Sequence, residues 1–341
     1  MSAQNPSGDG TVKVAAVQAT PVFLDRKATV DKACALIEEA GRNGATVAVF
    51  PEGFIPSYPL WAWFVPPYRT KELRELYAAL LRESVTVPGE SVEQLGRAAR
   101  NAGVTVVMGV NERDIKTSRT TLYNSLLFIG PDGRLLGRHR KLVPTVAERM
   151  VHGRGDGREL LVHDVGTGRI GGLICWENYM PLARWELYQQ GVEIYAAPTW
   201  DRGEPWLSTL RHIAKEGRTF VIGACSPMHR DDVPDAFTFK QEHLPASPWI
   251  NPGGSAIVDP DGRFLAEPVF EEETILYADL DLSLLRGSRF QLDVAGHYSR
   301  PDLFDARVRG RGVRGFVVRG DGACSGDAPE ARSEQSESEA G

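Results

Sequence analysis

The fold of this chain is constrained most by an alternation of short apolar segments with amphipathic segments, which occurs in both halves of the sequence. The first half predicts a strand at 12–17 and a helix from about 26 to 41. The second half predicts a strand at 169–174 and a helix at 182–190 that is closed by glycine. Because strands that alternate with helices pack as sheets covered by helices, we predict an α/β protein.

Each half also carries one hairpin signal, at 128–134 and at 258–263, where a Pro-Asp-Gly turn joins two short apolar runs. One hairpin in each half indicates a doubled α/β unit. The simplest packing of two such units is a four-layer αββα sandwich, with two mixed sheets inside and helices outside. Further strands are predicted at 46–50, 104–110, 122–129, 134–143, 192–197 and 219–225, and further helices at 70–83, 91–101 and 206–217.

The composition divides the chain near residue 310. The chain has 341 residues, of which 42% are hydrophobic, and is long enough for one large α/β domain. From 310 onward the sequence is rich in Gly and Arg and then in Ser and Glu, a composition that cannot supply a core. We therefore predict a single domain over 1–310 and a tail over 311–341 that is disordered or contacts other subunits.

Charge and cysteine usage limit the partners and the compartment. The arginine run at 307–319 lacks interleaved aromatic residues and lies beside an acidic tail, so we expect no nucleic-acid partner. No apolar run is long enough to span a bilayer, and the amino terminus has no signal pattern, so no membrane partner is expected. The four cysteines lack a close pairing, which favours reduced thiols and a cytoplasmic location.

Two further motifs do not indicate a cofactor. The segment 166–171 matches G-x-G-x-x-G, but a strand follows it, whereas a dinucleotide site requires a strand before and a helix after. The seven histidines are scattered, with no pair at ligand spacing. We expect neither a cofactor nor a metal.

Three reactive residues lie at or near the ends of predicted apolar strands, namely Glu52, Lys141 and Cys175. If these strands are neighbours, their ends converge on one cleft, as in open α/β sheets. A lone cysteine in a strand is more often a structural core residue. The other two residues reverse that expectation, and a helix start beyond Cys175 favours its thiolate.

The chemistry of this trio follows from its side chains. A thiolate is a nucleophile, and a nearby carboxylate can take the thiol proton and later activate water. A lysine ammonium neutralises negative charge that develops on the electrophile. Burial would raise the pKa of the carboxylate, so that it could act as the general base without a histidine. These groups suit attack on a carbon bonded to nitrogen, in a nitrile or an amide.

The segments around the trio are Phe50-Pro-Glu-Gly53, His139-Arg-Lys-Leu-Val-Pro-Thr145 with Glu148-Arg149, and Cys175-Trp-Glu-Asn178 with Met180-Pro-Leu182. Together, and in this order, they resemble the nitrilase superfamily of carbon–nitrogen hydrolases. The Cys-Trp-Glu-Asn form and the segment 293–301 resemble the true nitrilase branch rather than the amidases. The resemblance extends from about residue 12 to about residue 304.

The resemblance implies a role for each residue of the trio and for two more. Glu52 would be the general base, Lys141 the electrostatic stabiliser and Cys175 the nucleophile. Glu148 matches the family's second glutamate, which positions the lysine and the substrate or water; alternatively it is an ordinary surface partner of the following arginine. The backbone N–H of Trp176 would join the lysine in stabilising the anion.

Five side chains are candidates for the substrate pocket. Tyr58, Trp61 and Trp200 follow strand ends near the trio and are either pocket walls or plain core. His152 departs from the family pattern, because many relatives carry an aromatic residue there. His297 either serves the pocket or makes an inter-subunit contact.

The expected function is that of a nitrilase, which converts an organic nitrile and water to a carboxylic acid and ammonia through a cysteine thioimidate and thioester, with some amide by-product. An amidase or carbamoyl hydrolase with the same trio is one alternative, and a catalytically silent assembly protein is another. The resemblance also implies homo-oligomers, in which dimers stack into larger spirals.

Overall fold

The computed structural model describes residues 10–304 and residue 308 and shows the chain as a layered α/β structure. The predicted tail at 311–341 lies outside the described residues, so the boundary at 310 stays a prediction. The strands are β1 Thr11–Gln18, β2 Val47–Val49, β3 Thr105–Arg113, β4 Leu122–Ile129, β5 Leu135–Arg140, β6 His163–Asp164, β7 Arg169–Gly172, β8 Ile194–Thr199, β9 Phe220–Cys225, β10 Pro227–His229, β11 Trp249–Val258, β12 Phe264–Phe270 and β13 Thr274–Asp281. The helices are α1 Arg26–Arg42, α2 Trp61–Phe64, α3 Thr70–Glu83, α4 Glu90–Ala102, α5 Pro181–Gln189, α6 Glu204–Gly217, α7 Phe239–Glu242 and α8 Leu284–Gln291.

The strands form two mixed sheets. The first sheet has the order β13-β1-β2-β3-β4-β5, and the second has the order β10-β11-β9-β8-β7-β6, with β12 paired to β11. In the first sheet β1, β2 and β3 are parallel, and β4 and β5 continue antiparallel as a hairpin. In the second sheet β7, β8 and β9 are parallel, and β11 and β12 form the corresponding hairpin. The doubled unit predicted from the two hairpin signals is therefore confirmed.

The two sheets pack face to face, and helices cover their outer faces. Buried side chains of both sheets meet in one apolar cluster, among them Val14, Val49, Val107, Phe128, Ile170, Ile194, Ile222 and Ile257. A second cluster joins the first sheet to α1 and α4, and a third joins the second sheet to α5 and α6. Since helices that bury one apolar face must lie against a sheet or another helix, these clusters define the αββα sandwich that the sequence predicted.

The local signals explain where the elements begin. Helix α1 starts after Asp25, whose side chain accepts a hydrogen bond from Ala28 N at 2.9 Å and caps the first turn. Its buried face carries Val30, Ala33 and Ile37, as the apolar spacing predicts. The predicted loop after β2 contains one short helix, α2, that the irregular sequence did not indicate. No helix of the described residues is both long and apolar enough to cross a membrane.

The turn that carries Glu52 is supported by β3. Phe50 N donates to Val107 O at 2.8 Å, and Ile55 N donates to Gly109 O at 3.2 Å. The backbone of this turn lies so close to Gly109 that a Cβ there would be 2.0 Å from Pro51 O and 3.0 Å from the Cα of Glu52. Glycine at 109 is therefore a condition for the position of Glu52.

Replacing Gly109 by alanine is expected to displace this turn. The G109A variant should lose about 1–3 kcal/mol of the free energy of unfolding, measured by urea denaturation, because the new methyl group overpacks a backbone contact. Gly287 is the matched control, since a Cβ there meets nothing within 4 Å and the residue lies in α8. The G287A variant should gain about 0.5–1 kcal/mol. Equal effects of the two substitutions would contradict the tight approach at Gly109.

Candidate active site

The three reactive residues are all buried, and each lies just beyond a strand. Glu52 lies in the turn after β2, Lys141 directly follows β5, and Cys175 begins a 3₁₀ turn, Cys175–Tyr179, three residues after the end of β7. Their exposed fractions are 1%, 1% and 4%. The prediction that a strand runs up to Cys175 is wrong by two residues, because the chain leaves β7 after Gly172 and turns to present the thiol.

The strand ends converge across the sandwich and not within one sheet. Glu52 and Lys141 follow strands of the first sheet, in which β3 and β4 separate β2 from β5, and Cys175 follows a strand of the second sheet. At the end of β8 in the second sheet, Trp200 N donates to Glu52 Oε2 at 2.7 Å. The expectation of neighbouring strands is therefore corrected: the site lies where corresponding ends of two stacked sheets meet.

The ammonium of Lys141 lies between two carboxylates. Its Nζ is 2.7 Å from Glu52 Oε1, 2.8 Å from Glu148 Oε2 and 3.1 Å from Glu148 Oε1. All three side chains are at most 1% exposed. An ammonium has three hydrogens, so one directed to each carboxylate leaves a third for another acceptor. The alternative of Glu148 as a surface partner of Arg149 is therefore wrong, because the Glu148 carboxylate is buried against Lys141.

Glu52 is fixed by two further donors. Asn124 Nδ2 donates to Glu52 Oε1 at 2.8 Å, so that oxygen accepts from both Asn124 and Lys141, while Oε2 accepts from Trp200 N. The sequence analysis did not single out Asn124. A buried amide side chain in the largely apolar strand β4 was the available signal, since a buried amide needs hydrogen-bond partners.

Glu148 is held from two sides. Thr145 N donates to its Oε2 at 3.0 Å, and the Tyr58 hydroxyl donates to its Oε1 at 2.7 Å. The Tyr58 hydroxyl in turn accepts from Trp63 Nε1 at 2.9 Å. Tyr58 therefore contacts the charge cluster through its oxygen, while its ring stacks on Trp200 with centroids 4.5 Å apart.

The protonation of the charged groups follows from burial and from their mutual charges. Burial and the charge of Glu148 raise the pKa of Glu52 to about 7, although the Lys141 charge opposes both. Burial also favours a neutral Glu148, but the Lys141 charge together with the hydrogen bonds from Lys141 and Thr145 lowers the pKa of that carboxyl. Burial disfavours the Lys141 ammonium, yet the charges of Glu52 and Glu148 raise its pKa above the ordinary value.

The Cys175 thiol is neutral at rest. Burial raises its pKa well above the ordinary value, and the charges of Glu52 and Glu148 add to this effect. Lys141 and a hydrogen bond to Thr199 lower the pKa only in part. The expectation that a helix start favours the thiolate of Cys175 is therefore corrected: burial raises the pKa of the thiol, and the thiol needs a base.

The backbone at Cys175 is held in an unusual conformation. Its φ angle of 51° lies in the left-handed region, which is uncommon for residues other than glycine. Asn178 Nδ2 donates to Cys175 O at 2.8 Å and to Leu173 O at 3.1 Å, and the Tyr195 hydroxyl donates to Asn178 Oδ1 at 2.8 Å. The asparagine of the Cys-Trp-Glu-Asn segment thus locks the turn that carries the thiol.

His152 is buried beside the charge cluster. Asn111 Nδ2 donates to Ser57 O at 2.9 Å, so its Oδ1 accepts from His152 Nε2 at 2.8 Å. This arrangement assigns the ring proton to Nε2 and leaves Nδ1, which has no partner among the described residues, as an acceptor. Burial lowers the pKa of His152 to about 4, and the ring is neutral near pH 7.

The remaining predicted site residues lie in different surroundings. Trp61 is 2% exposed and packs in the apolar cluster that also contains Tyr58. The Trp176 side chain is 45% exposed, and its indole donates to Asp201 Oδ2 at 2.8 Å. His297 is exposed, and its ring contacts Tyr298, so the structure does not bring it together with the trio.

One group of metal-type ligands occurs among the described residues. Glu72, Glu242 and His243 offer atoms within 4.8 Å of one another near the protein surface. The Arg69 guanidinium already contacts both carboxylates, at 3.1 Å from Glu72 and 2.6 Å from Glu242. Because the Arg69 guanidinium already neutralises both carboxylates, we assign this group no metal role.

A buried thiol near a carboxylate and an ammonium, placed between the sheets of an αββα sandwich, is the combination of groups that covalent catalysis on a carbon–nitrogen bond requires. The carbon–nitrogen hydrolase family model matches residues 13–290, so the chain belongs to that family.

The similar curated proteins within that family are nitrilases. An aliphatic nitrilase of Sinorhizobium fredii is 46% identical over 294 residues, which cover 86% of this chain and 94% of the relative. A bifunctional nitrilase/nitrile hydratase of Lupinus angustifolius is 43% identical and covers 88% of this chain and 86% of its own length. Nitrilase 1 of Arabidopsis thaliana is 41% identical and covers 87% of each chain.

Solved structures support the fold. Nit3 of Saccharomyces cerevisiae, a member of branch 10 of the nitrilase superfamily, matches with a TM-score of 0.67 at 24% identity, covering 88% of this chain and all of its own. An amidase from a Nesterenkonia species matches with a TM-score of 0.59 at 19% identity, covering 82% and 94%. At these identities the likeness concerns the fold alone, and it confirms the predicted sandwich.

The hydrogen bond from Tyr58 to Glu148 is testable by substitution. The Y58F variant should lose about 1.5–3 kcal/mol of the free energy of unfolding, because a buried carboxylate loses a donor and Trp63 loses its acceptor. The Y277F variant is the control, since the Tyr277 hydroxyl lies near the surface and accepts from Asn43 Nδ2 at 3.1 Å. Chemical denaturation should show a change within about 0.5 kcal/mol for Y277F. A Y58F effect as small as this would argue against the bond.

Proposed function

We propose that this chain is a nitrilase that hydrolyses an organic nitrile to the carboxylic acid and ammonia, with Cys175 as nucleophile, Glu52 as general base and Lys141 as electrostatic stabiliser. The observation that carries the proposal is the buried ammonium of Lys141 between the carboxylates of Glu52 and Glu148, within electrostatic range of the Cys175 thiol. The nitrilases among the relatives support a nitrile as the substrate class.

The first step adds the thiol to the nitrile carbon. A sulfur–carbon bond forms as one carbon–nitrogen π bond breaks, and the thiol proton leaves with Glu52 as acceptor. Glu52 Oε2 is the atom for this role, since Oε1 already accepts from Lys141 and Asn124 while Oε2 accepts from one backbone N–H. The third hydrogen of Lys141 stabilises the negative charge that develops on the substrate nitrogen. This nitrogen then receives the thiol proton from Glu52, which gives a thioimidate.

Hydrolysis of the thioimidate completes the reaction in two further steps. Glu52 takes a proton from a water molecule, and the hydroxide adds to carbon as the carbon–nitrogen π bond breaks. Glu52 returns the proton to nitrogen, which gives a tetrahedral species that bears hydroxyl, amino and cysteine-sulfur substituents. The proton of the hydroxyl group then passes to the amino group through Glu52. The carbon–nitrogen bond breaks as the carbonyl forms, ammonia leaves, and a thioester remains. A second water, activated in the same way, releases the carboxylic acid and restores the thiol.

A partition of the tetrahedral species explains an amide by-product. If the carbon–sulfur bond breaks before the carbon–nitrogen bond, the amide is released and the thiol is regenerated without ammonia. The Lupinus angustifolius relative is a bifunctional nitrilase/nitrile hydratase, and the second activity in that name corresponds to amide release. We propose that this chain also forms some amide.

Supporting residues complete the proposed site. Glu148 positions Lys141, and the backbone N–H of Trp176 joins the lysine at the substrate nitrogen, because the first N–H groups of a helical turn lack intrahelical acceptors. We propose Tyr58, Trp61, His152 and Trp200 as pocket-side residues on the ground of their burial or partial burial around the cluster. His297 is proposed for an inter-subunit contact, since it is exposed and away from the trio.

Assembly and location are further proposals. We propose homo-oligomers of dimers that stack into larger assemblies, and the exposed apolar side chains of Trp176, Tyr179 and Leu182 beside α5 support a subunit contact. A cytoplasmic location is supported by the free thiols of Cys34 and Cys225.

Removal of the thiol tests the assignment of the nucleophile. The C175A variant should lose at least about 10⁴-fold in kcat for a nitrile panel, measured by ammonia release, because no covalent intermediate can form. Its melting temperature should stay close to that of the wild-type protein. Ammonia release at the wild-type rate would sink the proposed mechanism, and a preference of the wild-type protein for amides over matched nitriles would favour an amidase instead.

The pKa of Glu52, about 7, predicts the acidic limb of the pH profile. A general base must be ionised, so kcat/KM should fall about tenfold per pH unit below this pKa. The N124L variant removes a donor to the carboxylate, so the Glu52 pKa should rise and the limb should move to higher pH. Stopped assays from pH 5 to 9, with the melting temperature followed in parallel, measure the shift. A limb that does not move in N124L would exclude Glu52 as the titrating group.

A further inference from the structure

A carboxylate outside the proposed trio lies between the two segments that carry Cys175 and Lys141. Glu177 is the third residue of the Cys-Trp-Glu-Asn segment, and its side chain is fully buried. It points from the 3₁₀ turn of the second sheet towards the end of β5 in the first sheet, where it meets His139. The proposed chemistry does not use it as an acid, a base or a nucleophile.

Each oxygen of Glu177 accepts from a backbone N–H next to a reactive residue. Ile174 N, immediately before Cys175, donates to Oε2 at 2.8 Å. Leu142 N, immediately after Lys141, donates to Oε1 at 2.5 Å. His139 Nε2 is 3.0 and 3.1 Å from the two oxygens, on the strand that ends at Lys141.

These contacts join the two sheets at one carboxylate. We infer that Glu177 is a positioning residue, which fixes the distance of the Cys175 thiol from the Lys141 ammonium by binding the backbone on both sides. The inference rests on the proposed roles of Cys175 and Lys141. Asn178 locks the turn within itself, whereas Glu177 is the group that ties the turn to the lysine segment.

A carboxylate suits this position better than an amide does. Both of its oxygens are acceptors, and each of them faces a backbone N–H, while His139 Nε2 lies within 3.1 Å of both. Glutamine would place an NH₂ group where one oxygen now accepts, so at least one backbone N–H would face a donor. If either backbone hydrogen bond is lost, the turn that carries Cys175 is no longer tied to the segment that carries Lys141, although every reactive group is still present.

The test is the E177Q variant, with E112Q as the matched control. Glu112 is 1% exposed, and it also bonds to β5, through Arg138 and Arg140, but it accepts from neither Ile174 N nor Leu142 N. Three quantities are measured on each full-length variant: kcat and KM for a nitrile that the wild-type protein hydrolyses, the rate of Cys175 alkylation by iodoacetamide, and the melting temperature.

We expect kcat of E177Q to fall about 100-fold or more, with KM within about threefold of the wild-type value, because a small misplacement of reacting groups has an effect of this order. Alkylation of Cys175 should slow about tenfold or more, because the thiol is held less well beside its base and the ammonium. E112Q should keep kcat and the alkylation rate within about threefold, even where its melting temperature falls.

The inference is overturned if E177Q loses melting temperature as E112Q does but keeps the wild-type kcat and alkylation rate. Should E177Q fail to fold, E177D replaces it, since aspartate keeps the charge and is shorter by one methylene. A wild-type kcat in E177D, or failure of both variants to fold while E112Q folds, also overturns the inference. Residual activity of C175A would instead refute the proposed function, and that result is independent of Glu177.

Discussion

The ion cluster around Lys141 is the interaction on which the rest of the site depends. Two buried carboxylates share one ammonium, at 2.7 Å and 2.8 Å. Loss of one partner of a buried ion pair costs about 3–5 kcal/mol, because an uncompensated charge stays in the interior. The cluster carries one negative charge in excess when both carboxylates are ionised. Glu148, which has the more favourable contacts, keeps its charge, and Glu52 therefore titrates at about pH 7.

The doubled fold explains why the cluster can exist at all. Each half presents strand ends at the same end of its sheet, and the face-to-face packing of the sheets encloses these ends in protein. Burial then shifts the pKa values of the ionisable groups in the site, whereas the same side chains on the edge of one open sheet would stay solvated. The hydrogen bonds from Trp200 N to Glu52 and from Leu142 N to Glu177 both cross between the sheets.

Periodicity and turn signals in the sequence were sufficient to predict the layers and the two hairpins. They also predicted that Glu52, Lys141 and Cys175 are reactive residues near strand ends. The sequence could not show that these ends meet across two sheets, because that contact depends on how the halves stack. It also could not show the neutral state of the Cys175 thiol, which results from burial. Asn124 and Glu177 were missed for a related reason: each acts through hydrogen bonds to residues distant in sequence.

The raised pKa values of the thiol and of Glu52 together restrict how the first bond can form. Proton transfer from Cys175 to Glu52 alone would create a buried thiolate beside a neutral acid, and burial opposes that thiolate. Bond formation to carbon removes the charge from sulfur as it appears and moves it to the substrate nitrogen, where a hydrogen of Lys141 is available. Transfer of the proton and formation of the sulfur–carbon bond are therefore expected to occur together. The ammonium must then be placed relative to the thiol as accurately as the base is, which is the task of Glu177.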